Sequence, residues 1–233
     1  MPDVLTLHVR SVVDTTPLTR LIRLDLGQHP FVFQSGQAAL IGQHGQTERR
    51  PYSIASSPDD AVRHHRLEFL VKVDASGTIG PHLVAVGPGS RIDLEGPSGA
   101  FTLGPAIAPS YLFVAGGTGI SPLRSMLRHL IATDSGAALS VLYSARSPDE
   151  FAFRDELERL ARRQLIQLHL TVTGQAQTWD GIRGRISIDA LDRALPGKDA
   201  VCYLCGPPAM VEDVPPLLRQ LGVPSSHVRT EEW

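Results

Sequence analysis

Apolar and polar residues alternate along the first hundred residues of the chain, in short runs separated by turn-forming residues. Two such runs are Leu5, Leu7 and Val9, and the series 67, 69, 71 and 73, which consists of Leu, Phe, Val and Val. A period of two indicates half-buried β-strands, and the Gly-, Pro-, Asp- and Ser-rich stretches between them, such as residues 57–60, are typical of turns. This half of the sequence predicts an antiparallel barrel or sandwich without a long amphipathic helix.

The pattern changes at residues 104–109, where Gly and Pro interrupt it. Beyond this break, apolar strands are predicted at 111–115, 139–143, 165–172 and 200–204. Helices are predicted near 121–132, 153–163, 188–195 and 209–221. Such alternation predicts a parallel sheet covered by helices. We therefore expect two domains, an antiparallel β-barrel over residues 1–106 and an α/β domain over residues 107–233.

Two details of the predicted helices can be compared with a structure. Ser121 and Pro122 are suited to the N-cap and the first position of the first helix in the second half. Pro215 and Pro216 lie inside the last predicted helix, which they should kink or split because proline lacks the backbone N–H.

The composition excludes several classes of protein. Of the 233 residues, 42% are hydrophobic and 20% charged, and the net charge is -2. These values argue against disorder and against a general affinity for nucleic acid or membrane surfaces. No apolar run approaches the length of a membrane span, and the first residues lack the layout of a signal peptide, so we expect a cytoplasmic protein.

The cysteine content limits the redox chemistry that the chain can perform alone. Iron–sulfur clusters generally need four thiolates, and the chain has only Cys202 and Cys205. Their Cys-x-x-Cys spacing also occurs in redox dithiols and zinc sites, but residues three apart on a strand face opposite sides. We predict no disulfide or metal site here. His64 and His65 are interpreted as part of a solvated turn for a similar geometric reason.

A glycine-rich turn follows the first predicted strand of the second half, at Gly116-Gly117-Thr118-Gly119. Open α/β sheets bind dinucleotides at this position, because backbone N–H groups at the start of a helix can hold a pyrophosphate. Pro122 stands where the G-x-G-x-x-G fingerprint has its third glycine, so the turn alone is also compatible with a simple connection from strand to helix.

A second motif, Arg50-Pro51-Tyr52-Ser53, lies among the predicted barrel strands. It combines a cation that can pair with phosphate, a flat ring and a hydroxyl donor within four residues. Taken alone, these residues are also compatible with an ordinary surface Arg and an exposed Tyr.

With both motifs in this order, the sequence resembles the ferredoxin-NADP reductase family, whose members join a flavin-binding antiparallel barrel to a nicotinamide-binding α/β domain. The resemblance extends over essentially the whole chain and includes a third motif, Cys205-Gly206-Pro207-Pro208-Ala209-Met210. It implies that Arg50 holds the FAD pyrophosphate, that Tyr52 faces the isoalloxazine and that Ser53 hydrogen-bonds the flavin near N5. It also implies that Cys205 lies beside the nicotinamide.

The end of the chain resembles that of plant-type and bacterial members, in which a terminal aromatic residue stacks on the flavin and an acidic residue precedes it. Trp233 and Glu231 match this pair. Such stacking contributes about 0.5 to 1.5 kcal/mol beyond area burial, which is small enough for a nicotinamide to displace the ring. We interpret Trp233 as a gate.

The resemblance implies catalytic roles for Ser53, Cys205, Glu231 and Trp233. The residues expected to bind the cofactors lie in the motifs and at the ends of the following strands: Arg50, Pro51, Tyr52, Ser53, Val71, Lys72, Gly77, Thr78, Ile79, Gly80, Gly116, Gly117, Thr118, Gly119, Ser144, Arg146, Thr173, Cys205, Gly206, Pro207, Met210 and Trp233.

The sequence departs from the family pattern in two places. The family's second flavin motif is G-x-x-S, whereas here Gly77-Thr78-Ile79 is followed by Gly80, so the hydroxyl is missing; FAD is still favoured over FMN. NADPH-using members carry Ser-Arg after the third parallel strand, where this chain has Thr173-Gly174. Arg146, Arg183 or Arg185 could replace that arginine. The departure favours NADH over NADPH.

The resemblance predicts an enzyme in which NAD(P)H reduces bound FAD and the electrons pass to a separate carrier, such as ferredoxin, flavodoxin or an oxygenase component. One alternative is an NAD(P)H:flavin reductase that releases reduced flavin, against which a covering Trp233 argues. Another is an electron-transfer subunit of a larger complex, although the chain lacks the extra cysteines of cluster-carrying subunits. A dehydrogenase without flavin is disfavoured, because the predicted barrel would then have no function.

Overall fold

The computed structural model describes residues 4–74, 76–83, 86–104, 106–174 and 179–232. The chain divides into two compact units. The first comprises Met1–Leu103 and Arg124–Ala132, and the second comprises Gly104–Leu123 and Thr133–Trp233. One unit contains an antiparallel sheet and the other a parallel sheet, which confirms the predicted fold class.

The sheet of the first unit contains β1 (Val4–Thr16), β2 (Thr19–Asp25), β3 (Ala38–Gln43), β4 (Arg50–Ser53), β5 (Arg66–Lys72) and β6 (Arg91–Ser98). Their order in the sheet is β4-β3-β6-β1-β2-β5. Ile54 and Phe69 form an antiparallel bridge that joins the ends of this order. The sheet is therefore barrel-like.

The alternation in the sequence explains the core of this unit. Leu7, Val9, Leu67 and Phe69 are each 2% exposed or less. Residues two apart on a strand lie on the same face, so the apolar members of each run meet inside the barrel.

The turn predicted at residues 57–60 is wrong, because a helix, α1 (Pro58–His64), begins there. The Ser57 hydroxyl accepts a hydrogen bond from the Asp60 amide at 3.1 Å, and the Asp60 carboxylate accepts one from the Ser57 amide. This capping box, with Pro58 at the first position, starts a helix that has no long apolar stripe. His65 ends it in the left-handed conformation, at φ 49°.

The sheet of the second unit contains β7 (Ser110–Gly116), β8 (Ala138–Ala145), β9 (Gln167–Val172), β10 (Ile182–Arg183), β11 (Val201–Gly206) and β12 (Val228–Glu232). They are ordered β10-β9-β8-β7-β11-β12, and every neighbouring pair is parallel. The sequence did not predict β10 or β12. Each is held by pairing along one side, and β12 has too many polar residues to show an apolar period.

The longer helices after the barrel strands are α2 (Ile120–Ala132), α3 (Arg154–Arg162), α4 (Ile188–Ala194) and α5 (Pro208–Gln220). Ser121 is not the N-cap of α2, because a 3-10 turn over Gly117–Gly119 leads directly into the helix and buries Ser121 to 3% exposure. No helix in the described ranges is both long and apolar enough to cross a membrane.

The last helix also differs from its prediction, because α5 continues through Pro215 and Pro216. The two missing N–H groups would otherwise bond the carbonyls of residues 211 and 212, and Glu212 is exposed. Val214 and Leu218 are 1% and 0% exposed. Their packing on either side of the prolines holds the helix together.

The buried carboxylate of Glu68 on β5 pairs with arginine side chains from other elements. Glu68 is 4% exposed and accepts hydrogen bonds from Arg23 at 2.8 Å and from Arg124 at 2.9 Å. Arg124 also donates to the Ala55 carbonyl at 2.7 Å. Burial alone would raise the pKa of Glu68, but the Arg124 charge and the hydrogen bonds from Arg23 and Arg124 hold it below its ordinary value. Because the folded-state pKa is lowered, this stabilisation is complete above the unfolded pKa and is lost as the pH falls through the folded-state pKa.

We predict that Glu68→Gln lowers the free energy of unfolding by about 3 kcal/mol, because it leaves the buried Arg124 guanidinium without its counter-charge. Urea unfolding at neutral pH measures the loss. The difference in free energy of unfolding between the variant and the wild type should shrink at acidic pH, where Glu68 becomes protonated. Glu158→Gln on α3 is the matched control. Its pairs with Arg154 and Arg162 are partly exposed, so it should cost less than about 0.5 kcal/mol. Equal losses in the two variants would contradict the prediction.

Candidate functional site

The motif Arg50-Pro51-Tyr52-Ser53 forms the whole of β4. Arg50 and Pro51 are exposed, and Tyr52 and Ser53 are half-buried. The Arg50 guanidinium donates two hydrogen bonds to Glu48, at 2.9 and 2.7 Å. An exposed pair of this kind contributes little stability, so a bound anion can compete with Glu48 for the guanidinium.

The Tyr52 ring lies against a histidine that the sequence reasoning did not select. The Tyr52 hydroxyl and His82 Nε2 are 2.8 Å apart, and the two rings are stacked with an interplanar angle of 19°. Burial raises the pKa of Tyr52, an effect that the Arg50 charge partly offsets. Burial and the Arg50 charge lower the pKa of His82. The signal for this contact in the sequence is a histidine two residues after Gly80.

The second predicted flavin segment forms a loop tied to Asp74. Its carboxylate accepts hydrogen bonds from the amides of Ser76 and Thr78, both at 2.9 Å. Gly77 and Gly80 have φ of 83° and 119°, in the region that favours glycine. A serine at position 80 would therefore be strained in this backbone conformation.

The remaining predicted residues of the first unit differ in accessibility. Lys72, Gly77 and Thr78 are exposed, Ile79 and Gly80 are half-buried, and Val71 is fully buried in the barrel core. The Val71 side chain therefore packs in the core, and a ligand could reach only the backbone of that residue.

The predicted nucleotide residues of the second unit gather at the carboxyl end of its sheet. Gly116 ends β7 opposite Ser144 of β8, and Cys205 of β11 lies opposite Ala115. β8 and β11 flank β7 on opposite sides, so the strand order reverses at β7. Open α/β sheets bind ligands at such a reversal, outside the carboxyl ends of the strands.

The glycine turn packs against the end of β11. A Cβ built on Gly119 would lie 2.1 Å from the Cys205 carbonyl oxygen. One built on Gly116 would lie 2.8 Å from Pro207 and 3.0 Å from the Met210 sulfur. Only glycine fits at these positions. The structure thus brings the turn and the Cys205–Met210 motif together.

A buried tyrosine holds the turn from the other side. Tyr143 is 0% exposed, and its hydroxyl donates to the Gly117 carbonyl at 2.9 Å and accepts from the Ala152 amide at 3.2 Å. Burial raises the pKa of Tyr143, so the hydroxyl keeps its proton. The sequence reasoning missed this residue, because it appears there as an apolar member of a buried strand.

Cys205 and Glu231 are paired in register on β11 and β12. The Cys205 Sγ and a Glu231 carboxylate oxygen are 4.0 Å apart. Burial raises the pKa of Glu231 to about 6. Burial, together with the Glu231 charge, raises the pKa of Cys205, so its thiol stays protonated. Trp233, the proposed gate, lies outside the described residues.

The segment after β9 packs against the segment after β8. The Gly174 amide donates to the Arg146 carbonyl at 2.9 Å, and a Cβ on Gly174 would lie 2.5 Å from that same oxygen. Thr173 and Arg146 are exposed and Ser144 is half-buried. Position 174 therefore has no room for the arginine side chain that the NADPH pattern places there.

Comparison with known proteins places both units in one family. Residues 6–103 match the model of the oxidoreductase FAD-binding domain, and residues 113–215 match that of the oxidoreductase NAD-binding domain. Ferredoxin--NADP reductase B of Sorangium cellulosum is 36% identical over 213 residues, which cover 87% of this chain and 86% of that protein. The chain belongs to the ferredoxin-NADP reductase family. It is an oxidoreductase that binds FAD and NAD(P)H.

Other similar proteins are longer than this chain or less similar to it in sequence. A flavohemoprotein of Rhodopirellula baltica is 34% identical over 85% of this chain but only 52% of its own length. The ferredoxin reductase in carbazole 1,9a-dioxygenase has a TM-score of 0.83 at 25% identity, covering 99% of this chain and 69% of that one. The FAD/NAD-binding domain of a Vibrio cholerae nitric oxide dioxygenase shares the fold, with a TM-score of 0.82 over 98% of both chains at 24% identity.

The donor set of the first unit suits FAD. Arg50 offers an exposed cation, Tyr52 a half-buried ring and Ser53 a half-buried hydroxyl. His82 Nδ1 is buried and has no hydrogen-bond partner among the described residues. Buried polar atoms in proteins almost always have a hydrogen-bond partner, so His82 Nδ1 is suited to bond a ligand such as FAD.

We predict that Tyr143→Phe weakens NADH binding several-fold and lowers the free energy of unfolding by about 1 to 2 kcal/mol, because the Gly117 carbonyl and the Ala152 amide lose their shared partner. Isothermal titration of NADH into the pre-reduced protein, whose flavin it cannot reduce further, and urea unfolding measure the two effects. Tyr111→Phe is the matched control: this buried tyrosine accepts a hydrogen bond from the Ala108 amide at 2.8 Å, away from the turn. It should lose similar stability and keep its NADH affinity. Unchanged NADH affinity in Tyr143→Phe would refute a role in positioning the turn.

Proposed function

We propose that the chain transfers electrons from NADH through bound FAD to a separate protein acceptor. The observation that carries the proposal is the close packing of the Gly116–Gly119 turn against the Cys205 end of β11, at the reversal of strand order. This packing supports a nicotinamide site at Cys205.

In the proposed enzyme, the first unit binds FAD. Arg50 pairs with the pyrophosphate, Tyr52 lies along the flavin and Ser53 donates a hydrogen bond to the ring. When bound, the flavin accepts a hydride from NADH and passes the electrons on singly. The protein's part is placement, since hydride transfer requires the two reacting atoms within about 3 to 3.5 Å of each other.

Cys205 and Glu231 shape the nicotinamide side of this site. The Cys205 thiol stays protonated, so it acts as a small polarizable surface rather than as a nucleophile. Above pH 6 the Glu231 carboxylate is ionised, and it favours the positive charge that develops on the nicotinamide as the hydride leaves. Trp233 remains our proposed gate over the flavin.

A separate acceptor is supported by the cysteine content, because two cysteines are too few for a cluster. The relatives support a ferredoxin-type carrier or an oxygenase component. One is named a ferredoxin--NADP reductase, and another is the ferredoxin reductase of a dioxygenase. We propose an acceptor of this class.

The nucleotide preference is proposed from the backbone at Gly174. The Arg146 carbonyl fills the space that a side chain at position 174 would need. A bidentate guanidinium contact with a ribose 2′-phosphate is therefore missing from this position. NADH is the proposed donor.

Anaerobic titration of the purified protein tests the function. We expect NADH to bleach the flavin absorbance, and steady-state assays to give NADPH no lower KM than NADH, because no guanidinium at position 174 contacts the 2′-phosphate. A colourless protein, or a flavin that neither nucleotide bleaches, would overturn the proposal. Retention of flavin through gel filtration separates this function from a reductase that releases free flavin.

The ionisation of Glu231 generates a second prediction. The rate constant of flavin reduction by NADH should rise with pH through a midpoint near 6, where the carboxylate ionises. Glu231→Gln should remain near the low-pH rate at every pH. Stopped-flow absorbance measures both profiles.

Glu232→Gln is the control, because it removes an exposed carboxylate from the adjacent position of β12. It should retain the wild-type profile. If Glu231→Gln kept the midpoint near 6, the carboxylate would have no part in the reaction.

A further inference from the structure

Within the described residues, the buried imidazole of His82 is hydrogen-bonded at only one of its two nitrogens. His82 is 0% exposed and lies in a 3-10 turn over Pro81–Leu83. Its Nε2 contacts the Tyr52 hydroxyl at 2.8 Å, whereas its buried Nδ1 has no partner among the described residues. A buried polar atom without a partner costs free energy, which a bound ligand can recover.

The partner at Nε2 determines what Nδ1 can do. The Tyr52 hydroxyl keeps its proton, because burial raises its pKa, and it can donate to Nε2 in one tautomer of the ring or accept from Nε2–H in the other. Burial and the nearby Arg50 charge lower the pKa of His82 and outweigh the opposite effect of Glu48, so the ring is neutral at pH 7. A neutral imidazole that accepts at Nε2 carries its proton on Nδ1. In the tautomer whose Nε2 accepts from Tyr52, the atom without a partner among the described residues is an N–H donor, and it requires an acceptor.

The surroundings of Nδ1 favour an anionic acceptor. A Cβ built on Gly80 would lie 3.6 Å from Nδ1, so this nitrogen lies close to the Gly80 backbone. Arg50 is close enough for its charge to act on the imidazole. A phosphate oxygen accepts from such a donor and is attracted by the Arg50 charge.

We propose that His82 donates its Nδ1–H to a phosphate oxygen of the bound flavin nucleotide, and that the hydrogen bond from Tyr52 selects the tautomer that can do so. The inference rests on flavin binding by the first unit, as in the proposed function, but not on the nicotinamide or the acceptor. It assigns a binding residue to a segment in which the family's serine is replaced by Gly80.

Titration of the flavin-free full chain with FAD, FMN and riboflavin tests this assignment. His82→Gln retains a group that can meet the Tyr52 hydroxyl but loses the donor at Nδ1. Its Kd for FAD and FMN should rise about tenfold or more, the usual effect of a hydrogen bond to a charged group. Its Kd for riboflavin, which has no phosphate, should stay within about twofold of the wild type.

His227→Gln is the matched control, since His227 Nδ1 is also buried without a partner among the described residues but belongs to the second unit. Its flavin affinities should equal those of the wild type. Unchanged FAD affinity in His82→Gln, or an equal loss for riboflavin, would overturn the proposal. If the wild type bound no flavin, the proposed function would fail with it, whereas FAD binding that ignores His82 would refute only this inference.

Nitrogen-15 spectra of the wild-type histidine rings provide a readout that does not depend on the folding of a variant. We expect His82 to carry its proton on Nδ1, and that proton to shift downfield on addition of FAD or FMN but not of riboflavin. A proton on Nε2, or no selective shift, would contradict the assignment.

Discussion

The close approach of two backbone segments governs the second unit. The α-carbon of Gly119 lies so near the Cys205 carbonyl that a single added carbon would overlap it. Because of this contact, the turn after β7 presents its backbone without a covering side chain, and Cys205 is held at the strand end opposite Glu231. The hydrogen bond from Tyr143 fixes the Gly117 carbonyl from the interior. Burial raises the pKa of Glu231 to about 6.

The first unit relies on buried polar groups that order its binding strand. Glu68 and Arg124 neutralise each other inside the unit, and Arg124 also fixes the Ala55 carbonyl two residues after the motif of β4. Tyr52 is held by His82 rather than by solvent. In both arrangements, hydrogen bonds hold buried polar atoms in fixed positions. A cofactor site requires such fixed positions if it is not to reorganise on binding.

The parts of the fold that the sequence predicted are those with local signals. The alternating apolar runs gave the barrel strands, the continuous apolar runs gave β7, β8 and β11, and the glycine turn marked the start of a helix. The failures came where a contact decided the outcome. Reciprocal capping between Ser57 and Asp60 starts α1. α5 continues through two prolines because Val214 and Leu218 are buried. β12 forms by pairing with the edge of β11.

The sequence by itself determined the two-part architecture, the order of the motifs and the family, since apolar period and glycine spacing are properties of neighbouring residues. Only the tertiary structure decided which buried atoms lack partners and which side chains meet. His82 contacts Tyr52 although the two residues are 30 positions apart in the sequence. Position 174 is closed to an arginine only because the Arg146 carbonyl lies across it. Such facts arise from desolvation and excluded volume between distant segments, and no local pattern encodes them.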